Sequence, residues 1–133
     1  DYIMRLIREF MAALQLLLEG KDLEHRREEL KKLYEQYIGP YELYHNATID
    51  VAMRALASYD EGQRLERMEM LAELYYAEAD TVTGPDRNFL LNKAFNLFAF
   101  IERNGKTFSM DRRYKMALIE QRMKKCSGKT RCE

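Results

Sequence analysis

The sequence predicts an all-α fold of about six helices in antiparallel pairs. Three observations carry this. Leu, Ala, Met, Glu, Lys and Arg dominate while Val and Thr are scarce, a mixture that favours helix over strand. Apolar residues recur at intervals of three and four. Two prolines and six glycines leave few breaks in 133 residues. The length suits one domain, expected over 1–125, with a polar, frayed tail over 126–133.

The first helix is expected over 2–19. Ile3, Leu6, Ile7, Phe10, Leu14, Leu17 and Leu18 give it a wide apolar face, and Gly20 suits the position after its last turn. Asp22 caps the second helix, whose face is Leu23, Leu30, Leu33, Tyr34, Tyr37 and Ile38. Its run HRREELKK is expected to lie outside, with Glu28 and Lys32 paired across one turn.

Four tyrosines, 34, 37, 41 and 44, then follow a helical rhythm across Gly39-Pro40. A glycine ends a helix well, and a proline is tolerated at the first position of a new one. The stripe therefore divides. Tyr34 and Tyr37 close the second helix, and Tyr41 and Tyr44 belong to a short turn ending near Asn46. Their rings are expected to pack across the reversal with the hydroxyls reaching water.

The third helix, over 48–58, is rich in alanine, with Ile49, Met53 and Leu56 facing in. Asp60 to Gln63 reads as a capping box for a fourth helix that buries Leu65, Met68, Leu71, Ala72, Tyr75, Ala79 and Val82. Thr83-Gly84-Pro85-Asp86 is the clearest break. The fifth helix, over 86–103, is apolar nearly all round and is expected to be the most buried. Ser109 caps the sixth, which turns polar from Lys124. Short linkers make consecutive helices antiparallel.

The formal net charge is zero but unevenly spread. Residues 60–80 are net acidic and 111–133 net basic. Solvated helix faces are the favoured reading; mutual attraction, within one molecule or between copies, is the sharper one. The basic tail is not expected to bind nucleic acid, because the rest of the chain is net acidic and lacks a broad basic surface with planar groups to read bases.

No apolar run reaches the roughly 18 residues of a membrane helix, and DYIMRLIREF carries charges that a secretory signal lacks. Cys126 and Cys132 are read as thiols of a cytoplasmic protein. In an oxidant they would close a small loop through Ser127-Gly128.

Few motifs suggest chemistry. Glu42-x-x-His45 has the spacing of half a di-iron carboxylate site, and Asp22-x-x-His25 looks like an altered copy. Such a site needs two further inward glutamates on long helices; Glu42 follows a break and Asp22 serves as a cap. No metal or cofactor is expected. SGKT at 127–130 lacks the earlier glycine of a phosphate loop, since Met123 stands there. The two histidines have no nucleophile beside them, so no catalytic set is assembled.

DYIMRLIREFMAALQLLLEGK, followed by a charged helix and a short turn, resembles the opening of a family of uncharacterised, all-helical bacterial proteins of unknown function. LAELYYAEADTVTGPDRNFLLNKAFNLFAFIERNGKTFS is similar to that family's second half, which resembles tetratricopeptide (TPR) helix pairs. Leu71, Leu74, Leu91 and Ala94 fit one such unit; Tyr75, Glu78 and Arg87 depart from its pattern. No second copy at about 34 residues is visible, so the resemblance implies a helical fold, TPR-like in its second half and without a repeat array, in a bacterial cytoplasm; it carries no catalytic residue.

The expectation is a non-enzymatic interaction or scaffold module that binds a peptide, a protein or a second copy in a groove between helices. Tyr34, Tyr37, Tyr41, Tyr44 and His45 are its candidate surface. The alternative is a small-ligand sensor or enzyme whose pocket those five residues line.

Overall fold

The computed structural model describes residues 1–127, with side chains through Lys124. These residues form seven helices: α1 (Tyr2–Leu18), α2 (Leu23–Tyr37), α3 (Tyr41–Asn46), α4 (Ile49–Leu56), α5 (Glu61–Ala79), α6 (Gly84–Asn104) and α7 (Met110–Ser127). No strand occurs among them, so the protein is all-α. The turn expected after Pro40 is α3, hence seven helices rather than about six. Helix α7 runs past Lys124 to Ser127. The remainder of the expected tail lies outside the described residues, as do Cys132, the Cys126 side chain and most of SGKT.

Side-chain oxygens start several helices by accepting otherwise unpaired backbone N–H groups. Asp22 accepts from Glu24 and His25, Thr48 from Val51 and Ser109 from Arg112. Asp22 is thus a cap, and Asp22-x-x-His25 is not a ligand pair. Pro85 lies in the first turn of α6, where its missing N–H costs nothing, so α6 opens at Gly84, before the expected 86. Two local expectations are corrected. Neither bond of the expected capping box forms: Asp60 makes no side-chain cap bond, and Gln63 Oε1 accepts from Arg67. Lys32 pairs with Glu29 at 2.9 Å rather than with Glu28.

The C-terminal ends follow a common rule. The last carbonyls of a helix carry partial negative charge and lack intrahelical donors. Here cations borrowed from other helices supply them. Arg26 donates to Leu18 and Gly20 after α1, and Arg67 to Tyr37 at the end of α2. Lys93 donates to Tyr44, His45 and Ala47 at the end of α3. Arg64 serves Ala57 and Tyr59 after α4, and Arg27 serves Thr81 after α5. Much of the chain's basic character is spent on joining helices.

Helix α5 lies at the centre, touching α1, α2, α4 and α6. Arg27 reaches Thr81 and Arg67 reaches Tyr37, so α2 runs antiparallel to α5. Three ion pairs advance in step between α5 and α7: Glu69–Arg112 (3.6 Å), Glu73–Lys115 (2.7 Å) and Asp80–Arg122 (3.4 Å). These two helices are therefore parallel. The acidic and basic segments are not merely solvated faces; they meet within one molecule.

Leu71, Leu74, Tyr75, Leu97, Phe98 and Phe10 anchor one buried cluster. The most buried helix is α5, not α6. Neighbours on several sides cover even its Arg67, Glu73 and Glu78, whereas α6 leaves Phe89 exposed and Phe95 and Phe100 half-buried. Position in the stack decided burial, and mean hydropathy did not.

Candidate functional site

The five residues singled out in the sequence separate on folding. Tyr34, Tyr37 and Tyr44 are buried in the core and are not a partner surface. Tyr37 stands edge-on to Phe10 at 5.2 Å, and Tyr34 edge-on to Tyr41 at 5.0 Å. Tyr44 packs over Gly39, where an added Cβ would stand 2.8 Å from its ring. The Gly-Pro step permits that approach and lets the two halves of the stripe meet face to edge.

Tyr41 and His45 remain half-buried and share a polar centre with Glu78 of α5. Tyr34 donates to Glu78 Oε1 at 2.6 Å, and Tyr41 donates to Oε2 at 2.5 Å. His45 Nδ1 lies 2.8 Å from the same Oε2 and 3.0 Å from the Tyr41 hydroxyl. The Tyr34 and Tyr41 hydroxyls, expected to reach water, thus find a protein acceptor. Tyr75 likewise donates to the Tyr44 carbonyl at 2.6 Å.

Burial alone would raise the Glu78 carboxyl, but the bonds from His45, Tyr34 and Tyr41 reverse that and hold it below its ordinary 4.5. The bond to Glu78 raises His45 above 6.5 against the effect of burial. Burial, reinforced by the Glu78 charge, pushes the Tyr34 hydroxyl well up. Below this centre Lys93 is almost fully enclosed, its ammonium 4.2 Å from the Tyr75 and Phe89 ring centres. Burial lowers it to about 8 although Glu78 acts in the other direction.

Glu78 and Lys93 were not among the sequence candidates. The available signal for Lys93 was a single cation among Leu90, Ala94 and Leu97 on an apolar helical face. Glu78 had a weaker one, an acid where the TPR pattern carries an aromatic.

A cleft of about 250 Å³ opens above Tyr41, His45 and Glu78, walled by Arg27, Lys31, Thr81 and Val82. Glu42 takes no part; it is exposed and accepts from Asn46. The E-x-x-H pair therefore does not converge, and no group of three or more His, Cys, Asp or Glu able to hold a metal occurs among the described residues. None of their helices is long and apolar enough to cross a membrane.

A second concavity, about 380 Å³, lies between α1 and α7. Met11, Leu14, Gln15 and Leu18 form one side, and Glu73, Asp111 and Lys115 the other. No family model, curated protein or solved structure matches the chain.

Proposed function

We propose that this chain is a non-enzymatic interaction module of the cytoplasm, and that its partner docks along the face shared by α1, α5 and α7. The carrying observation is the α1–α7 groove, with Met11, Leu14 and Leu18 on one wall and Glu73, Asp111 and Lys115 on the other. An apolar wall facing fixed charges suits an amphipathic helical segment of another protein. Its apolar face would cover α1, and a basic residue would approach the exposed Asp111, since Glu73 is enclosed and paired with Lys115.

The order of the helices supports this reading. Both α1 and α5 pack on α2, and α6 packs between α5 and α7. The short α1–α2 connection and the α2–α5 bonds make α1, α5 and α7 parallel. The resemblance to one TPR unit falls on α5 and α6, and its first helix, α5, contributes Glu73 to this face; the first helices of such units line a binding face. The polar centre at Glu78 supports a structural role, because Tyr34 uses its hydroxyl to join α2 to α5, and Tyr41, His45 Nδ1 and Lys93 fix α3.

The test places a photocrosslinker at Gln15 and compares Leu18→Glu with Leu43→Glu. These leucines are similarly exposed, at 38% and 42%, but Leu43 lies on α3, away from the groove. Crosslinking that Leu18→Glu abolishes and Leu43→Glu preserves is expected. Equal capture by both variants, or a crosslink only to a second copy of the chain, would overturn the assignment to a heterologous partner.

A further inference from the structure

We propose that the cleft between α2, α3 and the C-terminal end of α5 binds a small oxyanion, a carboxylate or phosphate group, through Arg27, Lys31 and His45. This site is separate from the α1–α7 groove and does not depend on the function proposed for it.

Arg27 and Lys31 are one helical turn apart on α2 and wall the same cleft. Arg27 is held in place, since its Nη2 donates to the Thr81 carbonyl at 2.5 Å. A fixed guanidinium loses less freedom on accepting an oxyanion, and the N–H groups that Arg27 does not give to Thr81 and Glu24 remain to donate. Lys31 makes no hydrogen bond or ion pair among the described residues; its ammonium lies 5.4 Å from the Tyr41 ring centre. It has a charge to offer at the rim.

His45 supplies the third contact. Its Nδ1 is turned inward to Glu78 and its ring stacks on Tyr41 at 4.9 Å between centres. The ring is thereby oriented, and Nε2 is the nitrogen left for a ligand. Glu78 also lines the cleft, and its negative charge opposes an anion. That carboxylate, however, already accepts from Tyr34, Tyr41 and His45 and is 5% exposed. With His45 protonated, the His45–Glu78 pair is neutral and the cleft carries the charges of Arg27 and Lys31. Glu24 engages Arg27 at 3.4 Å. At about 250 Å³ the cleft is smaller than sites for drug-sized ligands, which start near roughly 300 Å³. It suits a small anion or the charged end of a larger molecule.

The groups acting on His45 fix the pH dependence. Glu78 from α5 and Glu42 from α3 favour its charged form, while Lys93 from α6 opposes it. Arg27 and Lys31 approach from α2. The balance leaves His45 raised, so anion affinity should fall with rising pH as His45 loses its proton.

The test is an NMR titration of the full chain at constant ionic strength with sulfate, inorganic phosphate and acetate, chloride being the reference. Sulfate keeps its charge from pH 5.5 to 8.5, so its pH dependence reports the protein. A saturable shift of the His45 ring by at least one of the three is expected. Preference for sulfate and phosphate would assign a phosphate-type ligand; preference for acetate would assign a carboxylate.

Lys31→Gln should weaken binding about tenfold, and it breaks no internal hydrogen bond. Arg27→Gln should do the same where circular dichroism shows the fold intact. His45→Gln should abolish the pH dependence of sulfate binding. No saturable shift at His45, unchanged binding in Lys31→Gln, or an unaltered pH dependence in His45→Gln would overturn the proposal.

Discussion

Tyr34 of α2 and Glu78 of α5 share a 2.6 Å hydrogen bond with both partners buried. The bond ties the first helical hairpin to the central helix, and the other carboxylate oxygen ties in α3 through Tyr41 and His45. Removing the acceptor strands a fully buried hydroxyl. Glu78→Ala should therefore cost about 3 kcal/mol, Glu78→Gln about half as much, and Tyr34→Phe about 1 kcal/mol. Urea unfolding checks this order. Tyr34→Phe as damaging as Glu78→Ala would show that the carboxylate is not the hub.

The same centre sets a pH optimum. Glu78 titrates below its unfolded value of 4.5 in the fold, so its contribution is complete above 4.5 and is lost as pH falls through the native value. His45 titrates above 6.5, so its contribution is complete below 6.5 and fades as pH rises through the native value. Both operate fully between these limits. Lys93, lowered to about 8, has the opposite slope at higher pH, because from there to 10.5 the unfolded chain binds the extra proton. Urea midpoints across pH 4 to 9 should decline above 6.5 in the parent and flatten there in His45→Gln. An identical decline in both would assign the alkaline loss to other groups.

The helices and the division of the tyrosine stripe were legible because periodicity and the Gly-Pro step are local. The role of the tyrosines was not. Tyr34 and Tyr44 read equally well as core or as surface until Glu78 and Gly39 are placed against them, and those partners come from sequence positions that periodicity does not connect. The partners of the charged residues were not legible for a related reason. Arg64, Arg67 and Lys93 sit where helical spacing marks only a face, while their acceptors are the ends of other helices. Nor does the apolar pattern show that α5 is central, since that follows from how the hairpins stack.

Helix α7 is held by one buried arginine. Arg112 lies between Glu102 at 2.6 Å and Glu69 at 3.6 Å and is 3% exposed, whereas its neighbour Arg113 is 61% exposed. Removing one partner of a buried ion pair is costly because the other charge stays behind. Arg112→Ala should lose about 3 kcal/mol and raise amide exchange along α7, while Arg113→Ala should lose less than about 1 kcal/mol. Equal losses would mean that α7 is held by its apolar contacts, chiefly Ile119, instead.

Lys93 holds α3 as Arg112 holds α7, but through neutral acceptors. Three backbone carbonyls share its ammonium at 2.8 to 3.2 Å. Lys93→Met would fill much of the same space and relieve the cost of burying a charge, yet leave these carbonyls without that donor. The two effects oppose each other in global stability, so the sensitive observable is local. Hydrogen exchange should rise over residues 41–47 by about tenfold or more, with a much smaller change at Leu71 and Leu74 in the core. The Tyr44 carbonyl keeps its bond from Tyr75, so exchange should rise less beside it than beside Ala47. Uniform acceleration through α3 and α5 would show that Lys93 supports the whole stack, and no acceleration over 41–47 would show that α3 is fixed by Glu78 alone.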